Sequence, residues 1–141
     1  MSAIEVAEYF LYKAQQDEEL ISNMKLQKLL YYAQGFHLAI FDQPLFSDEI
    51  ERWTHGPAVT SVYRKYKKHR ARPIAYPKDF QLEVIDKKVA DLLDEVYEVY
   101  GQFSAGALRN MTHKDPPWLE TDPGDAISLD LMKKHFKTLI K

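Results

Sequence analysis

The stretch NMKLQKLLYYAQGFHLAI, Asn23 to Ile40, decides the fold. With residues advancing by about 100° along a helix, Leu26, Leu29, Leu30, Ala33, Phe36 and Ile40 share one side, while Met24, Tyr31, Leu38 and Ala39 cover much of the other. A helix that is apolar nearly all round is central and buried. Its polar members, Lys25, Gln27, Lys28, Gln34 and His37, must sit at element ends, reach water along their stems or find interior partners, because an unpaired buried polar group costs about 1–3 kcal/mol. His37 projects beside Leu26, so the reading makes it a satisfied interior histidine.

Working outward, Ser2 and Glu5 form an S-x-x-E capping box, which starts a first helix running to about Gln16 with Ile4, Val6, Ala7, Phe10, Leu11 and Ala14 inward. Asp17 to Glu19 make an acidic turn, and Asn23 is the expected cap of the central helix. Two helices on a short loop pack as an antiparallel hairpin. Pro44 then breaks the helical period, and residues 45–54 suit a small extended hairpin. Gly56 and Pro57 predict a third helix from Pro57 to Lys68, with Val59, Val62, Tyr63 and Tyr66 inward. Its far end is basic: Arg64, Lys65, Lys67, Lys68, His69, Arg70 and Arg72. Positive charge there complements the helix dipole, and it also offers a contact for an acidic protein segment or a phosphate backbone.

A connector with prolines at 73 and 77 is expected to be held down by Ile74, Tyr76 and Phe80. The fourth helix is predicted over Asp86 to Tyr100, with Val89, Leu92, Leu93, Val96, Val99 and Tyr100 on one face and Gly101 as a left-handed cap. A short helix follows Ser104, THKDPPW is expected as a tight loop, and a last helix from Leu129 to Ile140 turns Leu129, Met132, Phe136, Leu139 and Ile140 inward. The expectation is a mainly α, single domain spanning 1–141, with five or six helices around the central one.

Composition narrows the function. A chain of 141 residues, 45% hydrophobic and 28% charged, is ordinary for one globular domain, and a formal charge of −2 gives no whole-molecule attraction to nucleic acid or acidic membrane. The absence of cysteine removes disulfides, thiolate zinc sites and a cysteine nucleophile. No leader-like or membrane-spanning run stands out, which points to a cytoplasmic protein.

Three pieces in fixed order carry a resemblance: KLQKLLYYAQGFHLA at 25–39, PLF-x3-I-x2-W-x2-GP-x3-SVY from Pro44 to Tyr63, and THKDPPW at 112–118. Together they resemble the SocA-like, Panacea-domain family of antitoxins from bacterial and prophage toxin–antitoxin pairs. The resemblance implies a mostly helical domain that neutralises a cognate toxin protein by direct contact, with no cofactor, no metal and no catalytic residue to carry over. Relatives often add a further segment, in some cases DNA-binding, and none is evident beyond this core. The family's recurring positions map to Lys25, Gln27, Lys28, Tyr31 and Tyr32, to Trp53, Gly56, Pro57 and Tyr63, and to Thr112, His113, Pro117 and Trp118; Asp115 stands where many relatives have glutamate.

For partner contact the candidates are Lys25, Lys28, Tyr32, Trp53, His55, Gly56, Pro57, Tyr63, Arg64, Lys67, Lys68, His113 and Trp118. Tryptophan and tyrosine are enriched at binding hot spots, and exposed cations speed encounter with an acidic surface. Two rivals remain open. The basic run from 64 to 72 could bind nucleic acid, and His55, His113 and Asp115 could build a hydrolase if they converge. Against the second, the chain has no HExxH, nucleophile elbow or glycine-rich phosphate loop.

Overall fold

The computed structural model describes residues 1–75, 80–81 and 85–140. Helix α1 spans Ala3–Gln16 and α2 spans Asn23–Phe41. A two-stranded antiparallel hairpin follows, β1 Ile50–Trp53 and β2 Gly56–Val59, then α3 Thr60–Tyr66 continued by a 3-10 turn, Lys67–His69. The remaining helices are α4 Lys87–Tyr100, α5 Ala105–Thr112, α6 Pro116–Leu119 and α7 Leu129–Lys137. The expected roles of Tyr76 and Pro77 lie outside the described residues.

The predicted rod is the centre of the molecule. Helices α1, α3, α4, α5 and α7 and strand β2 all pack on α2, and Leu26, Leu29, Leu30, Tyr31 and Ala33 are fully buried. So are four of its polar residues, and three of them find partners inside. The Gln27 Oε1 accepts from the Val59 amide at 2.7 Å while its Nε2 donates to Asn23 Oδ1 at 2.8 Å. Gln34 accepts from the Leu45 and Phe46 amides and donates to the Phe46 carbonyl, so it pins the chain leaving Pro44. The Asn23 amide donates to the Tyr63 carbonyl at 3.2 Å. Lys28, the fourth, is only 1% exposed.

Caps form largely where residue chemistry predicts them. The Ser2 and Glu5 box is complete, at 3.2 and 2.9 Å, and Ser104 and Ser128 cap α5 and α7. The cap of α2 is a correction: Ser22 accepts from Lys25, and Asn23 is already helical. A second correction concerns Pro57, which sits in β2 opposite Arg52 and not at the start of a helix. The proline costs the hairpin no bond there. The backbone of Arg52 is bonded on its other side, by its amide to Asp125 and by its carbonyl to Gly124, which marks Arg52–Pro57 as a pair that exchanges no ladder hydrogen bonds.

Gly101 is also not left-handed, with φ −64°. The Lys25 ammonium closes that helix end instead, donating to the Gly101 carbonyl at 2.5 Å. THKDPPW is more ordered than a loop: α5 runs through Thr112, and Pro116 and Pro117 occupy the first turn of α6, where missing amides cost nothing.

Five apolar residues expected inside are exposed: Ile40, Val99, Leu129, Leu139 and Ile140. Helix α7 ends at Lys137, so its last apolar residues leave the helical face that buries Met132 and Phe136. With Phe36 and Tyr100, four of them (Ile40, Val99, Leu139 and Ile140) line an open groove of about 410 Å³ at the C-terminal end of α2. The helix approach beneath depends on Gly35, because a Cβ there would come within 2.2 Å of the Phe136 ring. His37 is half-buried, and its Nδ1 pairs with the Gln43 carbonyl at 2.6 Å.

Candidate partner-binding site

The hairpin assembles the site. The pair Trp53–Gly56 closes a two-residue turn, Thr54 and His55, and Gly56 takes φ +111°, a conformation that glycine adopts at no steric cost. Side chains alternate along β1, so Arg52 and Trp53 face opposite ways. The Trp53 ring meets Tyr63 of α3 edge-on, with centroids 4.8 Å apart, and its Nε1 donates to Glu51 at 2.9 Å. Arg52 lies over Trp118, its guanidinium carbon 3.8 Å from the ring centre. Trp118 stacks on His113 at 4.1 Å and donates its Nε1 to the Trp53 carbonyl at 3.1 Å, which ties α6 to the turn.

On the Trp53 side lies a cavity of about 220 Å³ lined by Asn23, Met24, Gln27, Lys28, Trp53, His55, Gly56, Ala58, Tyr63, Lys67, Arg70 and Ala71. It therefore gathers Lys28, Trp53, His55, Gly56, Tyr63 and Lys67 from the candidate list, with Pro57 buried in the strand beside them. The sequence reading missed Arg52 and Asn23 as contributors, and it had Arg70 only as part of the basic run. The period-2 alternation of a strand was the signal for Arg52, since it sets that residue opposite Trp53.

Other candidates sit elsewhere. Tyr32 is buried against Tyr100, with stacked rings 3.8 Å apart, and Lys25 is bonded to Gly101. Arg64 and Lys68 are exposed beyond the cavity on the basic run. None of the cations of that run is paired with a carboxylate among the described residues.

The local field is positive. Burial pushes Lys28 down to about 8 from its ordinary 10.5, and Arg109 adds to the effect. Burial, then Arg109, also lowers the His113 imidazole, with Lys28 and Arg52 contributing, which favours the neutral ring. Its Nε2 is buried without a hydrogen-bond partner among the described residues.

No hydrogen bond joins His55, His113 and Asp115 among the described residues. Asp115 instead accepts from the Tyr31 hydroxyl at 3.0 Å and faces His135 at 3.5 Å, and burial raises its carboxyl above the usual range. His55 is exposed. Among the described residues no cluster of histidines and carboxylates could hold a metal ion, and no helix is long and apolar enough to cross a membrane.

The family model for "Antitoxin SocA-like, Panacea domain" matches residues 26–119, the span from the central helix to α6. Antitoxin SocA of Caulobacter vibrioides (strain NA1000 / CB15N) is similar at 32% identity over 139 residues, covering 89% of this chain and 74% of that protein. No solved structure matches. The motifs that build the hairpin, the cavity and the His113–Trp118 stack fall inside the matched span, and the chain belongs to the SocA-like antitoxin family, that of the Panacea domain.

Proposed function

We propose that this antitoxin-family protein neutralises a cognate toxin protein by direct contact, and that the hairpin, α3 and α6 form the contact face. The observation that carries the reading is the gathering of motif residues from three parts of the chain around one turn: Lys28, then Trp53 to Tyr63, then His113 and Trp118. Half-buried aromatic side chains held rigid by their own hydrogen bonds suit anchors at the centre of an interface, since little rotamer freedom is left to lose. Of the basic run from Arg64 to Arg72, Lys67 and Arg70 line the cavity, and its exposed cations would steer an acidic partner. The action is occlusion: a stiff helical platform covers the toxin's working surface, with no bond made or broken.

The test is co-expression with the protein encoded by the adjacent gene. That protein is expected to arrest growth alone, to be harmless in the presence of this chain, and to copurify with it. A neighbour that is harmless alone, or that stays toxic without binding, overturns the reading. The basic run also favours a second reading, nucleic-acid binding, because its cations lack acidic partners among the described residues. That reading expects affinity falling steeply with salt, with a slope that counts the phosphates contacted.

A further inference from the structure

Lys25 and Lys28 stand one helical turn apart, yet only one of them has a partner. The Lys25 amine is bonded to a helix-terminal carbonyl. Lys28 is 1% exposed, and among the described residues its ammonium has no hydrogen bond and no ion pair. An ammonium carries three donors and no acceptor, and no acceptor among the described residues takes any of them; the amine reaches only the cavity that Lys28 lines. Buried charges in folded proteins are paired or bind an ion.

The surroundings do not supply the missing charge. Lys28 lines the cavity under the hairpin turn, where the other titratable linings are His55 from the turn, Tyr63 of α3, and Lys67 and Arg70 after α3, with no carboxylate among the described residues there. From α5, Arg109 acts on it electrostatically, and the adjacent His113 imidazole is itself held toward its neutral form by burial. Asp115 is committed to Tyr31 and His135. The end of the lysine has room there because residue 56 is glycine: a Cβ at Gly56 would lie 2.9 Å from Lys28 Cε and 3.4 Å from Nζ. The positive φ of Gly56 and the missing side chain serve the same end.

The size selects the anion. At about 220 Å³ the cavity is smaller than the ~300–1,000 Å³ of pockets that take a drug-sized molecule, so one side chain fits and a nucleotide does not. Trp53 and Tyr63, edge to face at 4.8 Å, give the mouth an apolar wall suited to the methylenes of such a side chain.

The structure assigns this cavity as a receptor for one aspartate or glutamate side chain of a partner protein, its carboxylate meeting the Lys28 ammonium beneath the Trp53–Tyr63 rim. The assignment rests on the partner-contact reading above. It makes Lys28 a latent half of an ion pair that the complex completes. The free protein carries the desolvation cost, and the partner's acid relieves it.

Two measurements on the full chain test it. In the first, binding of the adjacent gene's protein is compared for wild type, Lys28→Met and Arg64→Met. Lys28→Met keeps an unbranched side chain out to the ε position and removes the ammonium; it is expected to fold and to weaken the complex at least tenfold, against threefold or less for Arg64→Met. Lys28→Met binding within twofold of wild type overturns the assignment. In the second, the pH titration of the Lys28 ε-methylene is followed by NMR with N-acetylglutamate, N-acetylglutamine or inorganic phosphate at tens of millimolar. The glutamate derivative is expected to move the midpoint upward from about 8 and the glutamine derivative to leave it in place. No shift with N-acetylglutamate, or a larger one with phosphate, overturns the carboxylate assignment. If wild type does not bind the neighbour at all, partner neutralisation fails and the titration alone decides the cavity.

Discussion

At its N-terminal end α2 meets the hairpin and α3 through amides, with Gln27 on Val59 and Asn23 on Tyr63, and through Lys28, which is unpaired among the described residues. At its C-terminal end it meets α4 and α7 through rings: Tyr32 stacks on Tyr100, and Phe136 lies edge-on to Tyr31, Tyr32 and Phe36 at 5.3, 6.0 and 4.9 Å. Directional bonds fix the register of a short hairpin that has little apolar area of its own, whereas rings supply area and accept small shifts. One helix thus separates two duties. The ring end packs α4 and α7 on the axis, and the amide end positions the candidate site.

Truncation of Phe136 to alanine should give the largest effect, because the ring is fully buried between α2 and α7. A loss of about 3–5 kcal/mol is expected in urea unfolding. Gln27→Leu should cost less, about 1–3 kcal/mol, by leaving the buried Val59 amide unpaired. Hydrogen exchange separates the two: Gln27→Leu should expose the Val59 amide while α7 stays protected. A Gln27 variant that loosens α7 as much as the hairpin would break the division of labour.

Lys28→Met should act in the opposite direction. The folded protein depresses this lysine to about 8 from 10.5, so it binds fewer protons than the unfolded chain and wild-type stability rises with pH from about 8 upward. The rise is readable up to about pH 10. Above that the unfolded tyrosines ionise while buried Tyr66 and Tyr97, pushed up to about 12, resist, and stability falls. At neutral pH Lys28→Met should therefore gain on the order of 1 kcal/mol, and its stability should rise less steeply than that of wild type between pH 8 and 10, the remaining rise coming from Lys25, which burial also depresses. The smallest effect is expected from Ile40→Ser in the apolar groove. The residue is 49% exposed, so stability should change by less than about 0.5 kcal/mol in thermal melts. A large loss there would mean that the groove contributes to the core.

Much of this was legible in the residues. A run that is apolar on every side has one stable place, the interior, and the Ser2, Ser104 and Ser128 caps satisfy amides two or three residues away. The motif residues gather because Gly56 permits a tight turn that sequence alone marks as a breaker. Other features involve distances along the chain that no local pattern spans. The bond from Tyr31 to Asp115 crosses 84 residues and the bond from Lys25 to Gly101 crosses 76, and the second replaced the left-handed cap that a glycine at that position suggested. The exposed Leu139 and Ile140 were misread for a related reason: helical spacing was extended past the point where α7 stops.

The sequence by itself determined that Asn23 to Ile40 forms the buried axis, that helices wrap it, and that three separated motifs place the chain among the SocA-like antitoxins, because periodicity, capping and motif order are properties of neighbouring residues. Only the tertiary structure decided that Lys25 finds a carbonyl while Lys28, in the same KLQK run, is left buried without an acid among the described residues. The physical reason is that pairing and desolvation depend on what distant segments bring to the same point, and two lysines one turn apart look out on different neighbours.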